Sequence, residues 1–326
     1  MKSTESVNKC FIGIDTSNYT TSFAVCDGKG RVIANIKKLL PVGEGERGLR
    51  QSDAVFAHIK NIPQLTQKLR DALVGYTPAA VGYSAYPRDI EGSYMPCFLT
   101  GAAVASAVSA VLGVQSFAFS HQSGHIMAAL YSGGCRDILK NERFAAFHVS
   151  GGTMEIVLVT PSESGSGFHT ELIGGTNDLT AGQAIDRIGV AMGFGFPCGK
   201  RMEEFYASCR CESDEKHVKP KLSVNGLYCN MSGLENLALK LYSDTSDKAA
   251  VCGYVFDFVG KTLDALSDNL RSKYPDIPIV YAGGVMSNAI IREMLEKRDG
   301  TYFALPDFSS DNAAGIALLC RERYMQ

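Results

Sequence analysis

The sequence lacks three features that would each indicate a particular class of protein. Its 10 cysteines are spread over 326 residues and form no C-x-x-C pair, whereas a secreted disulfide scaffold is shorter and denser in cysteine. The first ten residues, MKSTESVNKC, contain no apolar run of the kind found in a signal peptide. The formal net charge of −2 excludes binding of nucleic acid through bulk positive charge. We therefore expect a cytoplasmic protein with free thiols.

Charged side chains are absent from residues 92–135. Within this segment, residues 96–114 approach the roughly 20 apolar residues that a membrane helix needs. They are mostly Ala, Gly, Ser, Thr and Val, with little Leu, Ile or Phe, and a polar stretch follows them. This composition favours a helix packed inside an α/β protein over a membrane span, so no membrane association is expected.

The composition and the pattern of apolar residues predict two related α/β lobes. Apolar residues make up 45% of the chain, which excludes a disordered protein, and the length exceeds what one core usually fills. A strand, a polar turn and a second strand open each half, at 11–26 and at 144–159. Later strands alternate with helices, and glycines follow the strand ends. We place one lobe at 1–115 plus 306–326 and the other at 116–305.

His121 and His125 form an H-x-x-x-H pair. Residues four apart lie on one face of a helix, so both imidazoles can reach one metal ion. Gln122 stands where a zinc protease has its general base, which argues against that chemistry. From the spacing, a metal site and a hydrogen-bonded helix start remain equal alternatives.

Two glycine turns and two carboxylates are further candidates. Ser150-Gly151-Gly152 and Gly283-Gly284 follow apolar strands, and their backbone N–H groups could hold an anion, although each could equally be an ordinary turn. Asp178 is interpreted first as a helix cap. Asp186 lies inside a predicted helix among small and apolar residues, where a carboxylate needs a partner or a ligand.

Taken in order, these pieces resemble one family. The resemblance runs from Phe11 to about Arg321, through GIDTSNYTTSFAV, EGSYMPCFLTGAAVA, SHQSGHIMAAL, HVSGGTMEIV, GGTNDLTAGQAIDRIGVAMGFGFPCGK, MSGLENL, YAGGVMSNAIIREML and SSDNAAGIAL. The chain is similar to the tRNA threonylcarbamoyladenosine synthase family, also labelled O-sialoglycoprotein endopeptidase or glycoprotease. The resemblance implies the fold shared by acetate and sugar kinases, Hsp70 and actin, with a nucleotide cleft between two lobes.

The resemblance also implies a set of site residues. One divalent ion, iron or zinc, would be held by His121, His125, His148 and Asp311. Asp178 and Asp186 would be catalytic. Adenylate or ATP would be bound by ten residues, two of which are the glycines of the second turn. The ten are Val149, Ser150, Gly151, Gly152, Thr153, Asp186, Gly199, Gly283, Gly284 and Asn288.

By resemblance, the reaction is transfer of a threonylcarbamoyl group from its adenylate to N6 of the adenosine beside the tRNA anticodon. The partners would be tRNA, threonylcarbamoyl-adenylate and other proteins of that pathway. Several family acids are replaced here, including both acids of the first turn and the Glu whose place Gln183 takes. These departures leave two alternatives: a non-catalytic or altered-substrate paralogue that binds nucleotide and scaffolds a partner, and a small-molecule carbamoyltransferase.

Overall fold

The computed structural model describes residues 8–41, 49–140, 143–162, 167–209, 220–310 and 312–326. The chain divides into two compact units. The first comprises Met1–Glu142, Thr160–Thr170 and Ser310–Gln326, and the second comprises Arg143–Val159 and Glu171–Ser309. The first unit thus extends beyond residue 115, where the sequence analysis ends it, because residues 116–140 supply a further strand of its sheet and a helix packed on its last helix.

The first unit is built on a five-stranded mixed sheet with the order β3-β2-β1-β4-β5. The predicted opening hairpin is present, since β1 and β2 pair antiparallel. β4 lies parallel to β1, and β5 lies parallel to β4. The strands are β1 (Lys9–Thr16), β2 (Thr20–Asp27), β3 (Val32–Leu39), β4 (Thr77–Tyr86) and β5 (Gln115–Ser120).

Helices cover both faces of this sheet. They are α1 (Gln51–Ala72), α2 (Phe98–Leu112), α3 (His121–Ser132) and α10 (Ala314–Tyr324), with a short 3-10 helix at Arg136–Lys140. Gly13 of β1 and Gly82 of β4 face α10 so closely that a Cβ on Gly82 would lie 2.7 Å from Cβ of Cys320. Because side chains alternate along a strand, Ile12 and Ile14 point to the other face, where they join the core beneath α1 and α2.

The uncharged segment forms α2, β5 and α3. The expected helix is present as α2, but it packs through one face only, since Leu99 and Val111 are exposed. Within the described part of the chain, no helix combines the length and the apolar character that crossing a bilayer requires.

The second unit is built on a seven-stranded sheet with the order β12-β11-β6-β7-β8-β10-β9. β6 and β7 form the second predicted antiparallel hairpin, and β11 lies parallel to β6. The strands are β6 (Phe144–Val149), β7 (Met154–Pro161), β8 (Phe168–Thr176), β9 (Val224–Asn225), β10 (Tyr228–Cys229), β11 (Ile279–Ala282) and β12 (Thr301–Phe303).

Among its described residues, the second unit has six helices. The longest, α7, places Val255, Phe256, Phe258 and Val259 in a core with the inner residues of β6 and β7. Burial of such aliphatic and aromatic side chains contributes about 1.5–3 kcal/mol each. The helices are α4 (Ala181–Ala191), α5 (Gly199–Cys209), α6 (Ser232–Thr245), α7 (Lys248–Lys273), α8 (Ala289–Leu295) and α9 (Pro306–Ser309), and Gly284–Ser287 form a 3-10 turn.

Candidate functional site

The H-x-x-x-H pair lies at the start of α3. Ser120 is the N-cap, and its hydroxyl accepts a hydrogen bond from the backbone N–H of Ser123, which fixes the start of the helix. His121 and His125 lie one turn apart on the same face, as the spacing predicts. Their Nε2 atoms are 3.0 Å apart, and the two rings meet edge to face at 4.4 Å between centroids.

A buried carboxylate holds the first of these imidazoles. Nδ1 of His121 lies 3.0 Å from Oδ1 of Asp15, the penultimate residue of β1. The same Oδ1 accepts a hydrogen bond from the hydroxyl of Ser84 on β4. Asp15 is 0% exposed, so this contact is made away from water. No local sequence pattern points to Asp15 as a partner of His121, because 106 residues separate the two.

The donor set suits a divalent transition metal. Two nitrogens bound at about 2.0–2.1 Å to one tetrahedral zinc ion lie about 3.3 Å apart, and the Nε2 atoms of His121 and His125 are close to that separation at 3.0 Å. Imidazole is a ligand that iron and zinc both accept. Within the described ranges, no three His, Cys, Asp or Glu side chains are grouped as a complete metal site. Asp311 lies outside those ranges.

His148 belongs to the second unit. It is the penultimate residue of β6, it is half-buried, and it pairs with Glu155 on β7 and with Ala282 on β11. Its role as a metal ligand stays a prediction, as does that of Asp311.

The second unit brings most of the predicted nucleotide residues to one end of its sheet. Ser150 and Thr153 close a tight turn after β6: the N–H of Ser150 donates to the carbonyl of Thr153, at 2.7 Å. The turn rests on the start of α4, where a Cβ on Gly182 would lie 2.6 Å from Cα of Gly151. By contrast, a Cβ on Gly151 or Gly152 would meet no described atom within 4 Å. The turn therefore presents open backbone beside a helix N-terminus, an arrangement that suits an anion.

The cap of α4 corrects one interpretation. Thr180, and not Asp178, is the N-cap, and Thr180 and Gln183 form a capping box. The hydroxyl of Thr180 also donates to the carbonyl of Gly151 at 2.9 Å, tying the glycine turn to the helix. The T-x-x-Q pattern could have been found in the sequence. Either a glutamine or a glutamate can occupy this position of a capping box. Gln183 in place of the family's glutamate therefore preserves the cap of α4.

Asp178 instead anchors a distant loop. Its carboxylate accepts hydrogen bonds from the backbone N–H groups of Leu179, Met231 (2.7 Å) and Ser232 (3.1 Å) at the start of α6. Burial acts to raise the pKa of Asp178, but the hydrogen bonds outweigh it and lower the pKa to about 2. The carboxylate is thus held ionised by structure, and its catalytic role stays a prediction.

Asp186 has the partner that its position required. Its Oδ1 accepts the backbone N–H of Cys198 at 2.7 Å, immediately before Gly199 opens α5. Burial raises the pKa of Asp186, and the hydrogen bond from Cys198 partly offsets that effect. The fold therefore ties Asp186 to the residue that precedes Gly199, and the roles of Asp186 and Gly199 in nucleotide binding stay predictions.

The glycine pair after β11 consists of one packing residue and one open residue. Gly283 has a φ of +100°, and a Cβ there would lie 2.7 Å from the carbonyl carbon of Val149. A Cβ on Gly284 would meet no described atom within 4 Å. Asn288 caps α8 by accepting from the N–H groups of Ile290 and Ile291. Gly283 therefore lies beside the Ser150–Thr153 turn, whereas the amide oxygen of Asn288 is used in a cap.

Comparison with known families gives a match over most of the chain. The family profile of the tRNA N6-adenosine threonylcarbamoyltransferase, TsaD, matches residues 48–318.

Solved structures with low sequence identity share the fold. Component A of the Acidaminococcus fermentans (R)-2-hydroxyglutaryl-CoA dehydratase is 14% identical, with a TM-score of 0.53, over 98% of this chain and 100% of that one. The activator of the Clostridium difficile 2-hydroxyisocaproyl-CoA dehydratase, solved with bound ADPNP, is 12% identical with a TM-score of 0.52, over 97% and 96%. HypF from T. kodakarensis is 11% identical with a TM-score of 0.56, over 98% of this chain and 48% of that one. With the two mixed sheets, these neighbours confirm the predicted α/β fold class.

Proposed function

The chain belongs to the tRNA N6-adenosine threonylcarbamoyltransferase family, and on that premise we propose that it transfers a threonylcarbamoyl group from its adenylate to N6 of the adenosine beside the tRNA anticodon. The observation that carries the proposal is the imidazole pair of α3, with Nε2 atoms 3.0 Å apart and one ring anchored on Asp15. Such a pair would supply two of the four ligands of a zinc site, with a carboxylate behind one of them, as is usual for ligating histidines.

His121 and His125 would hold the metal, together with His148 and Asp311. When bound, iron or zinc would supply a Lewis acid that polarises the carbamoyl carbonyl. Of these four residues, the structure supports the first two through their geometry. The other two are proposed from the resemblance.

The second unit would bind the adenylate. The open backbone at Gly151 and Gly152, beside the start of α4, would bind the phosphate. Gly199, Gly283, Gly284 and Asp186 would border the rest of the nucleotide. The ADPNP bound by the similar dehydratase activator gives this proposal indirect support.

The proposed transfer balances without a further reactant. The N6 nitrogen of adenosine forms a bond to the carbamoyl carbon, the bond from that carbon to the phosphate oxygen breaks, AMP leaves, and the amine loses one proton. The positioning of both reactants would provide much of the rate increase. Burial raises the pKa of Asp186. We place this carboxyl group at the nucleotide.

A non-catalytic paralogue that binds nucleotide is the second candidate. Two observations favour it. Backbone N–H groups occupy the carboxylate of Asp178, and Gln183 carries an amide and not a carboxylic acid. Such a protein would keep the glycine turns and would scaffold a partner.

One assay separates these functions. The purified, metal-loaded protein is incubated with threonylcarbamoyl-adenylate and unmodified tRNA, alone and with the pathway's partner proteins, and the digested tRNA is examined by mass spectrometry. We expect modified adenosine beside the anticodon. Unmodified tRNA in both reactions, alongside a family member that works in parallel, would contradict the transferase; retained binding of AMP or ATP would then support the paralogue.

A further inference from the structure

Asp15 is a buried carboxylate placed against a candidate metal ligand. It is 0% exposed, and its Oδ1 lies 3.0 Å from Nδ1 of His121. Its second oxygen, Oδ2, is buried with no hydrogen-bond partner among the described residues. Burying a carboxylate is costly unless it is paired and hydrogen-bonded, and the contacts of Oδ1 with Ser84 and His121 supply that stabilisation here.

The sheet explains why three distant residues meet here. β1 and β4 are parallel neighbours, with Gly13 opposite Gly82 and Ile14 opposite Tyr83. The next pair along the strands is Asp15 and Ser84, and alternation places both on the face that carries Gly13 and Gly82. α3 follows β5, the strand beside β4, and its first residue is His121. The contact is therefore a product of strand register.

The hydrogen-bonding direction determines the state of the imidazole. A carboxylate oxygen accepts hydrogen bonds, and a neutral imidazole has one nitrogen that donates and one that accepts. Since Oδ1 of Asp15 already accepts from Ser84 and lies 3.0 Å from Nδ1 of His121, Nδ1 must carry the proton. Nε2 of His121 is then the atom with the lone pair, and it is the atom that faces Nε2 of His125.

We propose that Asp15, oriented by Ser84, is a positioning residue that fixes His121 in its Nδ1–H tautomer and aims the Nε2 lone pair at the metal position. The part of this inference that concerns the metal rests on the proposed function. The part that concerns the tautomer of His121 does not rest on it. A carboxylate behind a ligating histidine fixes the ring's orientation and raises the basicity of the ligand.

Two readouts test the proposal, on wild type and on Asp15→Ala, Asp15→Asn and Ser84→Ala. Nitrogen-15 spectra of metal-free, histidine-labelled protein report the tautomer of His121. Competition with a chelator reports the affinity for zinc. Asp27→Asn is the matched control, because Asp27 is a buried carboxylate of the same sheet that accepts from Lys29 and Arg31.

We expect wild type and Asp27→Asn to show Nδ1–H at His121. In Asp15→Ala this signal should be lost, and zinc affinity should fall about 10- to 100-fold, the range typical of such partners. Asp15→Asn should lose less zinc affinity than Asp15→Ala, because its amide oxygen can still accept a hydrogen bond from Nδ1–H of His121. Ser84→Ala should lie between wild type and Asp15→Ala. Near-ultraviolet circular dichroism establishes that each variant is folded.

The failures are distinguishable. A folded Asp15→Ala protein with an unchanged His121 tautomer and unchanged zinc affinity overturns the positioning role. If Asp15→Ala does not fold, the same result in folded Ser84→Ala overturns it. If wild type shows the Nδ1–H signal, and Asp15→Ala loses it, yet neither binds zinc, iron or another divalent metal, the positioning of His121 is supported and the metal in the proposed function is refuted.

Discussion

Gly315 at the start of α10 packs directly on Gly124 in α3: a Cβ on Gly315 would lie 2.7 Å from the carbonyl carbon of Gly124 and 2.9 Å from the backbone nitrogen of Ala128. Gly124 lies between His121 and His125. The backbone that carries the imidazole pair is therefore supported by the last helix, through a contact that two glycines make possible.

Gly315→Ala should force α10 and α3 apart. Because the clash involves backbone and not a flexible side chain, we expect a loss of at least about 2 kcal/mol in the free energy of unfolding, measured by urea denaturation. Gly28→Ala is the control, since its Cβ would meet the carbonyl oxygen of Lys9 at an ordinary 3.6 Å. Equal stability of the two variants would contradict the packing described here.

The two glycine turns should respond differently to substitution. Gly283→Ala places a Cβ against Val149 at a φ of +100°, and we expect it to cost at least about 2 kcal/mol of folding free energy. Gly151→Val projects into open space, so its stability should change by less than about 1 kcal/mol.

Calorimetry with AMP or ATP gives the functional half of that comparison. If the open backbone of Gly151 holds phosphate, Gly151→Val should weaken binding at least about tenfold, because its side chain occupies the approach to the N–H groups. Unchanged affinity in this variant would remove the turn from the nucleotide site.

Asp178 should contribute to acid stability. Its pKa is about 2 in the folded protein and about 3.9 when unfolded. Since the folded pKa is lowered, the stabilisation is present above about pH 4 and is lost as the pH falls toward 2. Asp178→Asn should therefore cost about 1 kcal/mol at pH 7, a value reduced for the exposure of the side chain, and progressively less below pH 4.

Urea denaturation at several pH values measures this difference. Asp244→Asn, at an exposed aspartate near the end of α6, is the control and should change the free energy of unfolding at pH 7 by less than about 0.5 kcal/mol. A constant difference between wild type and Asp178→Asn from pH 7 to pH 2 would contradict the structural role. Loss of transfer activity with unchanged stability would support the predicted catalytic role instead.

Local patterns predicted much of the fold. The hairpins β1–β2 and β6–β7 and the long helix α7 follow from apolar periodicity and turn residues. The same holds for the H-x-x-x-H face, which depends on helical spacing alone.

Contacts between distant segments could not be obtained in this way. The sequence favours Asp178 as a cap of the next helix, but its carboxylate accepts a hydrogen bond from the N–H of Met231, which lies 53 residues away. Asp15 meets His121 through the register of β1, β4 and β5, which no local pattern encodes. The end of the first unit also depends on β5 joining β4, a pairing that the small-residue segment did not reveal.

The metal content of purified protein tests the central claim most directly. After expression with ample iron and zinc, elemental analysis of wild type should find one ion per chain, and His121→Ala should have lost it while remaining folded. His169→Ala, at an exposed histidine of the same unit, should retain it. No metal in wild type, or equal metal in wild type and His121→Ala, would contradict the account.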